Sequence, residues 1–253
     1  MQINKALTAV FLLGWLTISL AARADDTPPS LLDESALGGK WVGMVSFTSE
    51  YFSRGVSNTR PGVGAVQSSL EFQHDSGAFV QVWGSNVDFP PPDSSVNIEL
   101  DYIAGYRGHL SEEASYETFV TYFTYPGADR ADGRSFNYWE GALKGTYDFE
   151  VAKPYLAVNY SPAYMFGAGS EWYFEGGGEI PLGTYFTGLL HAGHSIFDRN
   201  TLAERHDYWD YSIGLGTSVA GLDLKLEYIT NNLPKVDCVG PCDRVVFTVK
   251  KTF

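Results

Sequence analysis

From Lys40 onward the chain alternates apolar and polar residues with a period of two, and no other feature restricts its fold so severely. In Leu222-Asp223-Leu224-Lys225-Leu226-Glu227-Tyr228 every second residue is apolar and those between are charged. Successive side chains of a strand point to opposite faces, so such a segment turns one face to an apolar phase and the other to water. Tyr211, Ile213 and Leu215 repeat the pattern against Asp210, Ser212 and Gly214. Val245, Phe247 and Val249 repeat it against Arg244, Thr248 and Lys250. Helical periodicity is nowhere sustained, and the chain reads as all-β.

Twelve strands are expected, at 40–51, 64–74, 77–87, 96–109, 114–125, 136–149, 153–161, 171–180, 184–195, 207–219, 222–231 and 243–253. Strands with one apolar face also suit a water-soluble sandwich, and the links between them help to separate the two. Links at 75–76, 110–113, 150–152, 181–183 and 220–221 are short, and those at 52–63, 88–95, 126–135, 162–170, 196–206 and 232–242 are longer. A transmembrane barrel has short periplasmic turns and longer outer loops, and an even strand count returns both ends to the periplasm. The expectation is an antiparallel transmembrane β-barrel over 40–253. Closure removes the unpaired strand edges that hydrocarbon cannot tolerate. Trp41, Tyr51, Trp83, Tyr125, Tyr138, Trp139, Trp172, Tyr173, Tyr208 and Trp209 fall toward strand ends, where two interfacial girdles would use them.

The first residues read as a secretory leader. Lys5 precedes a mostly apolar run from Ala6 to Ala21, and Ala22-Arg23-Ala24 offers small residues at the cleavage positions. Cleavage after Ala24 leaves a polar lead-in over 25–39, which carries Pro28-Pro29. The whole sequence has 30 acidic and 17 basic residues, a balance that argues against nucleic-acid binding. Cys238 and Cys242 are the two cysteines, and an oxidising compartment favours a small disulfide loop between them. Three residues between them do not suit a redox CxxC pair, two ligands are too few for a structural zinc site, and no cofactor motif stands out.

Between Ser49 and Asp88 the residues Ser49, Tyr51, Arg54-Gly55, Ser57, Pro61, Gln67, Gly77 and Trp83-Gly84-Ser85-Asn86 form a pattern. Further on come Glu99, Asp101-Tyr102, Gly105-Tyr106, Tyr125-Pro126-Gly127, Tyr160-Ser161-Pro162 and Trp209-Asp210. This pattern resembles the Gcw_chp family, also described as TorF-family porins, over nearly the whole mature chain. The resemblance implies an exported barrel of the bacterial outer membrane with porin function, and brings no substrate with it. Phe79 stands where the family more often has Tyr. The terminal Phe253 is similar to an outer-membrane assembly signal, although Lys251 replaces its more common aromatic. Expected partners are outer-membrane lipid and lipopolysaccharide, the barrel assembly machinery during biogenesis, and small hydrophilic solutes or ions. No repeated interface pattern is visible, so a monomer is expected.

For a channel the chemistry lies in the lumen lining. The acidic candidates are Glu50, Glu71, Glu99, Asp101, Glu117 and Glu140, followed by Asp148, Glu175, Glu179, Asp210, Asp223 and Glu227. The basic candidates are Arg107, Lys144, Lys225, Arg244 and Lys250. A wet lumen with this excess would favour cations, whereas a packed one would pair the same groups structurally. Arg54, just after the first strand, reads equally as a constriction, an anchor or a plain loop-to-wall salt bridge. Two other classes stand beside the channel: a non-conducting barrel that binds through its outer loops, and a barrel hydrolase. The hydrolase reading would need His194 or His206 to meet Ser195 and Asp198 or Asp207, with no nucleophile elbow to support it. His191 and His194, three apart on a strand, point to opposite faces and form no metal pair.

Overall fold

The computed structural model describes residues 34–89, 96–128, 135–165, 168–198, 206–238 and 241–253. The leader at 1–24 and most of the lead-in lie outside them. One helical turn, α1 (Glu34–Leu37), precedes β1 (Gly39–Thr48). A two-stranded hairpin follows, β2 (Phe52–Ser53) and β3 (Val56–Ser57). Then come β4 (Ala65–His74), β5 (Ala78–Asn86), β6 (Ile98–His109), β7 (Ala114–Thr124) and β8 (Tyr138–Tyr147). The second half holds β9 (Lys153–Ser161), β10 (Glu171–Leu182), β11 (Phe186–Phe197), β12 (Tyr208–Val219), β13 (Leu222–Asn231) and β14 (Asp243–Thr252).

Apart from the hairpin, the strands form one closed sheet in which each pairs antiparallel with its neighbours in the chain. The ends meet through β1 and β14, from Met44↔Thr252 to Thr48↔Thr248. Gly43 and Phe253 continue this seam, the Phe253 amide donating to the Gly43 carbonyl at 2.8 Å. This is the twelve-stranded antiparallel barrel expected from the alternation. Among the described residues no helix is long and apolar enough to cross a membrane, so any crossing is made by the strands.

The period of two sorts the residues as physics requires. Val45 and Phe47 on β1, Leu70 on β4, Val80 and Val82 on β5, and Leu226 and Tyr228 on β13 are exposed on the outer wall. Residues between them, such as Glu71, Glu99, Asp101 and Glu140, are buried inside. A wall of this kind is stable against hydrocarbon, where apolar surface has no water to avoid and every backbone group of a closed sheet has a partner.

Two expectations change here. The first strand ends at Thr48 and the sixth wall strand at Tyr147, so Glu50 and Asp148 lie beyond their strands. Glu50 still turns inward, while Asp148 sits in the short turn and pairs with Lys153 at 2.8 Å. The aromatics also divide instead of all joining girdles. Trp139, Trp172 and Trp209 face outward, on Tyr122 at 4.4 Å, Tyr160 at 4.5 Å and His194 at 4.2 Å. Tyr125, Tyr138, Tyr173 and Tyr208 are buried inside the barrel. Tyr51 and Trp83 contact each other at 5.7 Å, with Tyr51 against an inner cluster of Val87, Phe89, Val96, Tyr125, Phe136, Tyr138 and Met165. Parity decides the matter: an aromatic one residue out of step with the apolar face lands inside, however close to the strand end it lies.

Candidate functional site

The long links gather at one end of the barrel, and the first of them folds into the lumen. The β2–β3 hairpin reverses through Arg54 (φ 50°) and Gly55 (φ 69°). Gly55 is required there twice over. Its backbone is left-handed, and a Cβ would come within 2.5 Å of Asp210 Cβ on β12. The Asn231 side chain donates to the Gly55 carbonyl at 2.6 Å, tying the tip to β13. Nearer its base the loop is held by Asp88 N–H donating to the Asn58 carbonyl at 2.9 Å, and by Arg60 on Asp88 at 2.7 Å. Ser57 Oγ donates to Glu50 at 2.7 Å and also to the Thr59 carbonyl.

From this tip Arg54 reaches the wall that faces β1 across the barrel. Its Nη1 donates to Glu171 on β10 at 2.6 Å, and its Nη2 to Glu140 on β8 at 2.6 Å. The guanidinium lies over the Tyr173 ring, 4.4 Å from its centroid. Charge-assisted bonds of this kind are strong where water is excluded, and the Glu140 and Glu171 side chains are 6% and 1% exposed. Burial alone would push the Arg54 pKa down, but Glu140 and Glu171 hold it well above its ordinary value. Beside this clamp lie Glu99, which accepts from Tyr125 Oη at 3.1 Å, and Asp101, whose buried Oδ1 has no hydrogen-bond partner.

Below the clamp a second network crosses β9 to β12. His191 Nε2 lies 2.8 Å from Asp210, and its Nδ1 lies 2.9 Å from Tyr155 Oη. Tyr173 Oη donates to Asp210 at 3.1 Å, a reach open only because residue 193 is glycine, where a Cβ would collide with that hydroxyl. Glu175 accepts from Tyr155 and Asn159, each at 3.3 Å. Lys144 Nζ stands 4.3 Å from the Tyr155 ring centroid.

The other charged groups pair locally. Arg107 grips Glu71 through two bonds of 2.7 and 2.9 Å, touches Glu117 at 3.3 Å and covers the Phe79 ring. Arg244 meets Glu50 at 3.1 Å. Lys225 meets Glu227 at 2.8 Å, and Lys250 meets Asp223 at 3.3 Å. Glu179 lies at the short-turn end of β10, opposite Lys153. Cys238 and Cys242 are joined by a disulfide within the last outer loop.

Sequence reasoning overlooked Glu171, His191, Tyr155 and Tyr173 as lumen groups. Glu171 and Tyr173 share parity with Glu175 on one strand, and that signal was available. His194 faces outward onto Trp209 while Ser195 is buried inward, so these two lie on opposite sides of the wall, and the other histidine considered, His206, lies 3.7 Å from Asp237. Among the described residues no group of three or more His, Cys, Asp or Glu side chains is placed to hold a metal.

A closed antiparallel wall, apolar outside and charged within, defines a transmembrane β-barrel of the bacterial outer-membrane type. The chain belongs to the Gcw_chp family, described as bacterial proteins of unknown function, whose profile matches residues 34–253. Solved porins share the architecture. A KdgM porin aligns with a TM-score of 0.55 at 8% identity, over 84% of this chain and 99% of that one. A NanC porin aligns with a TM-score of 0.53 at 9% identity, over 83% and 98%. A KdgM porin in complex with disordered oligogalacturonate gives 0.55 at 10% identity, over 84% and 99%. At these identities the likeness is one of fold. No curated protein sequence matches the chain significantly.

Proposed function

We propose that this protein is an outer-membrane channel through which small hydrophilic solutes or ions diffuse passively, with cations favoured. The observation that carries the preference is the clamp on the acid-rich inner face, where among the described residues Glu140 and Glu171 share the one guanidinium of Arg54. Low-dielectric walls focus such a field along the lumen and raise the local concentration of counter-ions. The same field opposes a polyanion, so the oligogalacturonate held by the KdgM porin does not transfer to this chain. The barrel sits among outer-membrane lipid and lipopolysaccharide as a monomer, and the barrel assembly machinery inserts it.

One observation favours a second reading, a closed barrel acting through its outer loops. The apolar cluster around Tyr125, Phe136 and Tyr138 packs inside the long-loop end, together with Tyr51 of the first loop. Single-channel recording in a KCl gradient separates the two. The channel reading expects discrete conductance steps and a reversal potential on the K⁺ side. That preference should shrink as salt approaches about 1 M, where the Debye length falls to roughly 3 Å. A silent bilayer containing folded protein supports the closed barrel, and a reversal potential on the Cl⁻ side overturns the cation preference.

A further inference from the structure

We propose that the cradle occupied by Arg54 is a recognition site for solutes that carry a guanidinium group, and that Arg54 is its built-in competitor. The inference rests on the channel reading above and gives it a substrate class.

The cradle belongs to the barrel wall and its occupant does not. Glu140, Glu171 and Tyr173 are fixed on β8 and β10, each less than one-tenth exposed. The guanidinium is delivered across the lumen by a hairpin of two residue pairs. Two carboxylates take its edges and an aromatic ring takes its face, a match to a planar, many-donor cation that a spherical ion does not share. Among the described residues two wall carboxylates, Glu140 and Glu171, share the one guanidinium of Arg54. Apart from the bonds of Arg54, the tip is held by the Asn231 bond to the Gly55 carbonyl, the two hairpin pairs and the packing of Val56 on the cluster of Phe197 and Tyr208. A tethered group acts at an effective concentration of about a millimolar or more, and a free guanidinium solute competes as it approaches that concentration.

Chemical rescue tests this. Arg54→Gly keeps the left-handed backbone and removes the occupant, and it should raise open-channel current and noise severalfold. Methylguanidinium should then restore the quiet wild-type trace saturably, and tetramethylammonium, which has charge but no N–H donor, should not. Adding Glu171→Gln should raise the half-maximal methylguanidinium concentration at least about tenfold, the scale expected when a charge-assisted bond is weakened. Arg54→Gln serves where the glycine variant does not fold. Wild-type protein gives an arm free of substitutions: methylguanidinium should speed amide exchange across 52–58, while tetramethylammonium leaves it unchanged. Equal effects of the two cations, no saturable effect, or full rescue without the Glu171 carboxylate overturns the proposal. The KCl reversal potential is read separately, and exchange needs no conduction, so failure of the channel reading is distinguishable from failure of this one.

Discussion

Arg54 and Gly55 do different work at one turn. The glycine lets the tip come against Asp210, and the arginine uses that approach to reach Glu140 and Glu171. Gly55→Val should unseat the tip, because a β-branched residue in a left-handed conformation costs roughly 1–2 kcal/mol before its overlap with Asp210 is counted. Amide exchange at Val56 and Asn58 should accelerate strongly, while the barrel's unfolding midpoint in detergent moves little. Unchanged protection at those amides would show that the tip is held by something else. The Arg54-Gly55 pair could be read from the sequence as an inward-turning loop. Its partners could not, because alternation says which face a carboxylate takes but not which cation crosses the lumen to meet it. His191 was weighed only as a metal or catalytic pair with His194, and its bond to Asp210 depends on a register that no local pattern reveals.

At the scale of the strand, period two carries most of what the sequence discloses. In β13 the alternation of Leu224, Leu226 and Tyr228 with Asp223, Lys225 and Glu227 fixed the inside and the outside before any pairing was known. Strand ends were harder to place. Glu50 and Asp148 continue the parity of their strands, so the pattern runs on past the last ladder bond. The girdle reading failed for the inward aromatics, such as Tyr125 and Tyr138, for a related reason, since position along a strand was weighed and parity was not. Two neighbouring substitutions test the assignment of faces. Leu226→Arg puts a charge against hydrocarbon and should destabilise the folded barrel by roughly 2–4 kcal/mol in lipid. Lys225→Ala removes a half-exposed ion pair with Glu227 and should cost under about 1 kcal/mol. Denaturant titration in bilayers gives both values, and a reversed order would place the wrong face toward lipid.

The whole molecule is a greasy wall around an acid-rich interior, narrowed at the long-loop end by its own first loop. The wall follows from closure of β1 on β14, and the proposed field would follow from the carboxylates that the described strands turn inward. The sequence made the wall legible, since alternation is a sum over many residues and survives errors at any one of them. The packing of the outer loops was not legible, because it depends on contacts between segments far apart in the chain, such as Tyr51 with Trp83. Paired cysteine accessibility at positions 226 and 227 tests the wall and the field together. The native cysteines are joined to each other and stay silent. In liposomes, Glu227→Cys should react with a cationic thiosulfonate several times faster than with an anionic one, and Leu226→Cys should react with neither. Rapid labelling at 226 with protection at 227 would contradict the wall, and faster anionic labelling at 227 would contradict the field.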